Sequence, residues 1–187
     1  MVFSPLATSI DFVLADGTSV HVRPIVPADA PALVAFHRGL SPETIRRRFF
    51  SAHPRLSETE AAFFTTVDSI DRNAFVATQA GALVGVARYD RISPTSAEVA
   101  FVIDDAHQAH GIASLLLECL AAAAADQGIT TLEADTLADN RPMLSVFRHV
   151  GSDVTAHWDQ GVVHVKFVVD AARQRPMAAS APVAVAV

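Results

Sequence analysis

Residues 98–127 constrain what this chain can fold into more than any other stretch. A run of five apolar residues, 99–103, is followed by a polar turn, and apolar residues then recur at helical spacing. They are Ile112, Leu115, Leu116, Cys119, Leu120 and Ala123. Because positions i, i+3, i+4 and i+7 share one face of a helix, the stretch predicts a buried strand, a loop and an amphipathic helix in direct succession.

The loop between this strand and this helix has the character of an anion-binding site. The first amides of a helix lack partners inside the helix and carry a partial positive charge, which favours a phosphate group. Gly111 has no side chain and lets a ligand approach the backbone closely. The segment is not a dinucleotide fingerprint, because Gly111 lacks further glycines at the required spacing, and it is not a P-loop, because no Gly-Lys-Ser/Thr follows.

Length and composition limit both the architecture and the partners. The chain has 187 residues, 51% of them hydrophobic, which suits one domain, and no apolar block is long enough to span a bilayer. A net charge of −6 argues against a nucleic-acid partner, because that binding depends on Lys and Arg. The start lacks the pattern of a secretion signal, and the single cysteine, Cys119, cannot form an internal disulfide. We therefore expect a cytoplasmic protein without membrane or nucleic-acid partners.

The other periodic segments place strands and helices on both sides of this unit. Alternating apolar residues predict a first strand over 18–26, and Ser41-Pro42 and the capping box of Ser57 with Glu60 each open a helix. The later segments predict, in chain order, a hairpin over 74–91, a strand over 97–103, a strand over 130–136, a helix over 140–149 and a closing hairpin over 152–169. This order predicts a mixed α/β (α+β) domain.

Several segments resemble a known family. Gln108-Ala109-His110-Gly111-Ile112-Ala113 is similar to the acetyl-CoA pyrophosphate loop of the GNAT acetyltransferases, whose usual form is Gln/Arg-x-x-Gly-x-Gly/Ala. The order of elements over 18–169 is similar to that of the GNAT fold. The segments that look more narrowly like actinobacterial Pat-type protein lysine acetyltransferases are Arg23-Pro24-Ile25, Leu40-Ser41-Pro42-Glu43-Thr44 with Arg48-Phe49-Phe50, and Ala97-Glu98-Val99-Ala100-Phe101-Val102.

The resemblance implies a fold and a division of the chain. The GNAT fold is a twisted, mostly antiparallel sheet, here of about six to seven strands flanked by about four to five helices. The GNAT domain would occupy residues 18–170, after an N-terminal extension over 1–17 and before a flexible Ala/Pro/Val-rich tail over 171–187. We leave open whether the protein is a monomer or a homodimer.

The resemblance also implies acetyl-CoA as co-substrate and a role for each matching position. Glu98 corresponds to the glutamate that acts as general base in this group. The backbone of Ala100, Phe101 and Val102 would hydrogen-bond the pantetheine arm. The pyrophosphate would be held by Gln108, Ala109, His110, Gly111, Ile112 and Ala113. Asn140 matches the asparagine that contacts the cofactor in many members.

The residues themselves leave alternatives for two of these roles. A lysine amine has a solution pKa near ~10.4, so it must lose a proton before it attacks a thioester, and Glu98 is suited to accept that proton. The strand pattern alone is also compatible with a glutamate in solvent or in a salt bridge. Asn140 is equally placed to be an ordinary helix N-cap.

The chain departs from the family pattern in two places that bear on chemistry. Ala109 and His110 stand where the group usually has Gly-Arg or Gly-Lys, which removes a permanent cation beside the pyrophosphate and restricts the backbone. The resemblance implies weaker or pH-sensitive cofactor binding. Phe147 stands where many GNAT enzymes have a tyrosine that protonates the leaving thiolate. The thiolate would then leave unassisted or with help from water.

Other patterns point to less specific features. Arg46, Arg47 and Arg48 form either a solvated helix face with structural ion pairs or a contact for CoA phosphate or a protein substrate. His107 and His110 are three residues apart, but no further ligand follows at a useful spacing, so we expect no metal. No Gly-x-Ser-x-Gly elbow supports a hydrolase, and Cys119 lies on the apolar helix face as a packed residue.

We therefore expect an acetyl-CoA-dependent N-acetyltransferase that acts on a primary amine, with a protein lysine as the expected acceptor, by direct transfer. Two alternatives remain. The acceptor is a small-molecule amine, or the chain is a catalytically weak GNAT module that binds acyl-CoA.

Overall fold

The computed structural model describes residues 9–14, 16–51 and 55–169. The predicted tail over 171–187 and the first eight residues of the predicted N-terminal extension lie outside this part. The strands are β1 (Ile10–Val13), β2 (Ser19–Pro24), β3 (Arg72–Gln79), β4 (Ala82–Ser93), β5 (Ser96–Ile103), β6 (Thr131–Leu137), β7 (Ser152–Asp159) and β8 (Val162–Val168). The α-helices are α1 (Ala30–Gly39), α2 (Pro42–Phe49), α3 (Glu58–Thr65), α4 (Ile112–Asp126) and α5 (Arg141–Val150).

The eight strands of the described chain form one sheet in the order β1-β2-β3-β4-β5-β6-β8-β7. All neighbours are antiparallel except β5 and β6, which α4 connects as a parallel pair. The predicted mixed α/β class with a mostly antiparallel sheet is confirmed. The sheet has one or two strands more than predicted, because β1 lies in the predicted extension and pairs with β2 from Ile10 to Val13. A strand of four residues is too short to show a clear alternation of its own.

The two halves of the sheet separate between β5 and β6. These strands pair only from Ser96 to Glu98 on β5, opposite Thr131 to Glu133 on β6. Beyond this point β5 continues along β4 to Ile103, and β6 follows β8 to Leu137. The backbone edge of residues 99–103 that faces β6 therefore pairs with no strand of the described chain, and a wedge opens between the two halves.

Each face of the central strand packs against different helices. Val99, Phe101 and Ile103 belong to the main core with α4, whose buried face includes Ile112 and Leu116. The opposite face packs under α1, α2 and α3. The buried core residues of these helices and of the segments beside them are Leu33, Phe36, Leu40, Ile45, Leu56 and Ala61. Because β5 alternates between these two environments, Glu98 projects on the side of α1–α3. No helix in the described ranges is both long and apolar enough to cross a membrane.

Candidate active site

One cavity of about 460 Å³ runs through the wedge between β5 and β6. At one end it is lined by Glu98, Arg47 and Arg48, and at the other by the loop that precedes α4. The predicted site residues along its wall are Glu98, Ala100, Phe101, Val102, Gln108, Ala109, Gly111, Ile112, Ala113 and Asn140. The structure thus gathers all the predicted site residues except His110 around one cavity.

The loop before α4 presents free amides to this cavity. Gly111 is the N-cap of α4 with a φ of 89°, and it makes no side-chain capping bond because it has no side chain. The amides of Ile112, Ala113 and Ser114, all on the cavity wall, donate to no acceptor in the described part of the chain. Three unpaired N–H groups and the helix dipole are together suited to bind an anion.

Contacts with α2 hold this loop in place. A 3-10 turn over Asp105–His107 precedes it, and the Asp105 carboxylate accepts hydrogen bonds from Ser41 N (2.8 Å), Ser41 Oγ (2.7 Å) and Thr44 Oγ1 (2.7 Å). Burial opposes the charge of Asp105, but these bonds outweigh it and lower the pKa of Asp105. The Gln108 amide donates to Thr44 Oγ1 (3.1 Å) and to the Ile103 carbonyl (3.2 Å). Gln108 therefore anchors the loop by its side chain.

The two histidines of this region serve the loop rather than a metal. His107 Nδ1 lies 2.7 Å from Asp104 Oδ2, and its Nε2 lies 2.6 Å from Gln79 Oε1. His110 turns away from the cavity, and its Nδ1 lies 2.6 Å from Asp16 Oδ2. The backbone bond from Thr18 and the bond from His110 together lower the pKa of Asp16 to about 2. No group of three His, Cys, Asp or Glu side chains within the described residues is arranged to hold a metal ion.

Glu98 belongs to a row of three carboxylates across the sheet. Asp90 on β4 pairs with Glu98 on β5, which pairs with Glu133 on β6, so the three side chains share one face. Arg72 and Arg88 bind Asp90 at 3.0 and 3.1 Å.

The third acid of the row, Glu133, is also neutralised, because Lys166 Nζ lies 2.9 Å from its carboxylate. The Glu98 carboxylate forms no ion pair or hydrogen bond with any described residue, although it lines the cavity. It is the one carboxylate of the row that is free to accept a proton from a ligand.

The middle of the wedge combines an aromatic wall with polar groups. Phe147 on α5 packs edge-to-face on Phe101, with ring centroids 5.7 Å apart. Asn140 is the N-cap residue of α5, but its side chain makes no capping hydrogen bond and faces the cavity. Thr136 on β6 also lines the cavity, and its buried hydroxyl has no hydrogen-bond partner in the described chain. A buried hydroxyl without a partner costs about 1–3 kcal/mol, which points to a partner supplied by a ligand.

These features together suit coenzyme A. The free amides before α4 would hold its pyrophosphate, and the unpaired edge of β5 would bond the amide groups of the pantetheine arm. Thr136 and Asn140 offer polar partners in an otherwise apolar wedge.

The sequence left open that Arg48, as one of three consecutive arginines, contacts CoA phosphate or a protein substrate, and it did not identify Thr136 as part of the site. Of the three consecutive arginines, Arg46 binds Glu43 and Asp139, and Arg47 binds Glu43, as expected of structural ion pairs on a solvated helix face. Arg47 and Arg48 both line the cavity, but only Arg48 of the three forms no ion pair with a described residue. The sequence signal for Arg48 is its place in the Arg48-Phe49-Phe50 segment, which looks like the corresponding segment of the Pat-type proteins. Nothing in the local sequence distinguishes Thr136 from other strand threonines.

Cys119, the single cysteine of the chain, is a packed core residue and not a nucleophile. Cys119 is buried on α4 within the main core. Burial raises the pKa of its thiol to about 12, so it is not a thiolate at neutral pH.

Known proteins share this sequence and fold. The family model described as "Acetyltransferase (GNAT) domain" matches residues 19–153. Acetyltransferase Pat of Mycolicibacterium smegmatis is 32% identical over 161 residues, which are 83% of this chain and 47% of that protein. The chain therefore spans about half the length of this relative.

Solved structures agree with this assignment. The crystal structure of the GNAT domain of S. lividans PAT superposes with a TM-score of 0.79 at 39% identity, over 86% of this chain and 96% of that one. RimL, a ribosomal L7/L12 alpha-N-protein acetyltransferase in complex with coenzyme A, has a TM-score of 0.65 over 90% of this chain and 98% of its own. At 16% identity it shows a likeness of fold alone. The predicted resemblance is confirmed: the chain belongs to the GNAT acetyltransferase family, whose acyl donor is acetyl-CoA.

Proposed function

We propose that this chain transfers an acetyl group from acetyl-CoA to a lysine side chain of a protein, with Glu98 as general base. The observation that carries the proposal is that a free carboxylate and a set of free amides line the same cavity. The first is suited to accept a proton from an amine, and the second is suited to hold a diphosphate. Acetyl-CoA supplies an activated thioester, and the chain supplies binding, orientation and proton transfer.

Glu98 prepares the acceptor for attack. A lysine enters as an ammonium group, and Glu98 removes its proton, directly or through one water, so that the nitrogen lone pair becomes available. Asp90 and Glu133 do not compete for this proton, since each already binds a cation. The backbone N–H groups of β5 beyond Glu98 that face β6 have no strand partner in the described chain, and we assign them to polarise the thioester carbonyl.

The cofactor is held along the rest of the cavity. The backbone of Ala100, Phe101 and Val102 would bind the pantetheine arm, and Asn140 would add a side-chain contact. The pyrophosphate would lie on the loop from Gln108 to Ala113. Within this loop His110 contributes its backbone, because its imidazole is bound to Asp16.

The lysine acceptor is supported by the similarity to Pat and PAT. An acetyltransferase for small amines would use the same cofactor half, so the acceptor must be tested directly. Purified protein is incubated with labelled acetyl-CoA and either a cell lysate or a panel of polyamines, amino acids and aminoglycosides. Label on protein lysines, read by mass spectrometry, supports our proposal, whereas label only on small amines favours the other acceptor class.

Phe147 gives a specific reason to test a module that binds acyl-CoA without catalysis. It is buried on the cavity wall and has no proton to donate to a thiolate. Calorimetry that shows CoA binding, together with no transfer to any acceptor, would favour the binding module. We further expect the protein to act in the cytoplasm, since its single cysteine is buried and unpaired.

The role of Glu98 is tested by Glu98→Gln, which keeps the shape of the side chain but cannot take a proton. We expect turnover to fall about 100-fold or more at pH 7, while the Kd for CoA measured by calorimetry stays unchanged. Glu133→Gln is the matched control, because Glu133 lies in the same row but binds Lys166. Unchanged turnover in Glu98→Gln would remove this residue from the proposed role.

A further inference from the structure

Arg48 is a cation without a counterion at the wall of the active-site cavity. Its guanidinium stacks on Phe49 at 5.0 Å from the ring centroid, and it forms no hydrogen bond or ion pair with any residue that the structure describes. Burial and the neighbouring Arg88 lower the pKa of Arg48 to about 10, so it remains charged at neutral pH. A partly buried guanidinium with no acceptor is costly unless a ligand supplies one.

Arg88, on β4, adds unused donors beside Arg48. Its Nη1 lies 3.1 Å from Asp90, and its guanidinium stacks on Phe64 at 4.7 Å. Its Nε is buried and has no partner within the described chain. Two guanidiniums that both have free donors thus lie close enough to repel each other.

The surrounding acids do not offset this charge. Arg48, Arg72 and Arg88 face two carboxylates, those of Asp90 and Glu98. Asp90 already binds two of the arginines, and Glu98 acts on Arg48 only at longer range. The cluster therefore keeps an excess positive charge next to the proposed base.

The space beside these arginines suits a small anionic group. A second cavity of about 50 Å³ is lined by Arg48, Arg88 and His37 together with apolar residues from the three helices α1–α3 and the sheet. It shares Arg48, Ala100 and Val102 with the main cavity. A carboxylate that enters from the main cavity meets the forked donors of Arg48, which bind carboxylates in a bidentate manner.

The geometry points to an anion site, formed by Arg48 and Arg88, that takes a carboxylate carried by one of the two substrates. This inference rests on the proposed function and sharpens it, because it predicts which substrates are preferred. The carboxylate is either the end of an acyl chain, as in succinyl-CoA, or a group on the acceptor beside the reactive amine. Both sources offer the same chemistry to the arginines.

Two arms of one experiment distinguish these sources, with the full chain and the variant Arg48→Gln. In the first, calorimetry compares the Kd of succinyl-CoA with that of acetyl-CoA, which share the whole CoA part. In the second, acetyl-CoA is the donor, and kcat/KM is compared for peptides whose lysine is flanked by aspartate or by asparagine. We expect a preference of about tenfold for the anionic partner in one arm, and its loss in Arg48→Gln.

Arg46→Gln is the matched control, because Arg46 lies on the same helix but is held by Glu43 and Asp139, each at 2.9 Å. It should keep the preference of the unmodified chain. If Arg48→Gln melts far below the unmodified chain, Arg48→Lys replaces it. Lysine keeps the charge but not the fork, so the preference should fall without disappearing.

Three results overturn the anion site: no preference in either arm, a preference that survives in Arg48→Gln, or an equal loss for anionic and neutral substrates. An equal loss for anionic and neutral substrates would make Arg48 a positioning residue for Glu98. If the unmodified chain transfers nothing to any amine, the proposed function fails. The calorimetric arm then still decides whether the site binds the acyl carboxylate.

Discussion

Ala109 has a backbone conformation that a residue with a Cβ rarely adopts. Its φ is 65°, in the left-handed region, and it precedes Gly111, whose φ is 89°. Glycine adopts this region without strain, whereas other residues lose about 1–2 kcal/mol. The alanine at this position, where the Pat-type pattern has glycine, therefore holds the loop before α4 in a strained state.

Ala109→Gly should relieve this strain. Glycine loses more entropy on folding, about 0.5–1 kcal/mol, so we expect a net gain in the free energy of unfolding of about 0.5–1 kcal/mol. Urea denaturation measures it. Ala122→Gly, in the middle of α4, is the control and should destabilise the protein by about 1 kcal/mol. Equal destabilisation by both changes would contradict the strain at Ala109.

Thr136→Val exchanges a buried hydroxyl without a partner for a methyl group of similar size. We expect the ligand-free protein to gain about 1 kcal/mol in its free energy of unfolding, because an unsatisfied polar group is removed. CoA should bind several-fold more weakly, since its partner in the wedge is lost. Thermal melting and calorimetry measure the two effects, and Thr136→Ser should restore CoA binding. A variant that is both less stable and normal in CoA binding would rule out this role of Thr136.

Among the secondary-structure elements, α2 and the loop before α4 form one connected unit. Ser41 is the N-cap of α2, and its side chain accepts from Thr44 N at 3.1 Å. The same serine and Thr44 bind Asp105, which lies more than sixty residues further along the chain. The start of α2 is thereby tied to the loop before α4, and α2 carries Arg48 at its other end.

Asp105→Ala should loosen this connection. The loss of three hydrogen bonds at a helix start should lower the free energy of unfolding by about 1–2 kcal/mol. CoA binding should weaken as well, because the amides before α4 are less well held. Asp126→Ala, at the exposed end of α4, is the control and should change stability by less than about 0.5 kcal/mol. Undiminished CoA binding in Asp105→Ala would show that the loop holds its shape without α2.

For the whole molecule, the acids that contact cations or backbone amides make stability depend on pH. The Arg23 guanidinium, which binds Asp29 at 2.6 and 2.7 Å, lowers the pKa of Asp29 against the effect of burial. The pKa of Asp105 is also lowered, and that of Asp16 falls to about 2. The unfolded chain therefore binds protons at a higher pH than the folded protein does.

The free energy of unfolding should stay constant while the pH is above the pKa of these carboxyl groups in the unfolded chain, near ~4. It should fall as the pH drops through their lower pKa values in the folded protein, towards 2. Thermal melting between pH 2 and 7 measures this decline. Asp29→Asn should lower the free energy of unfolding at pH 7 by about 2–3 kcal/mol and make the acid decline shallower. An acid decline as steep in Asp29→Asn as in the unmodified chain would exclude Asp29 as a main contributor.

Features that depend on neighbours along the chain were predictable. The strand, loop and helix around Gly111 occur as predicted, and the capping box of Ser57 and Glu60 forms at the start of α3. Both follow from helix periodicity and from caps that act within four residues. The short strand β1 was not predicted, because its pairing with β2, rather than a pattern in its own sequence, makes it a strand.

By itself, the sequence determined the elements, the free amides before α4 and the position of Glu98 on a strand, because helix periods, strand alternation and caps are properties of the local backbone. Only the tertiary structure decided which acid of the row stays unpaired, since that depends on the register of β4, β5, β6 and β8. The same holds for Arg48, which differs from Arg46 and Arg47 in having no carboxylate partner within ion-pair distance in the described chain. Charge balance in the site is set by residues brought together from distant parts of the chain, and no local pattern contains that information.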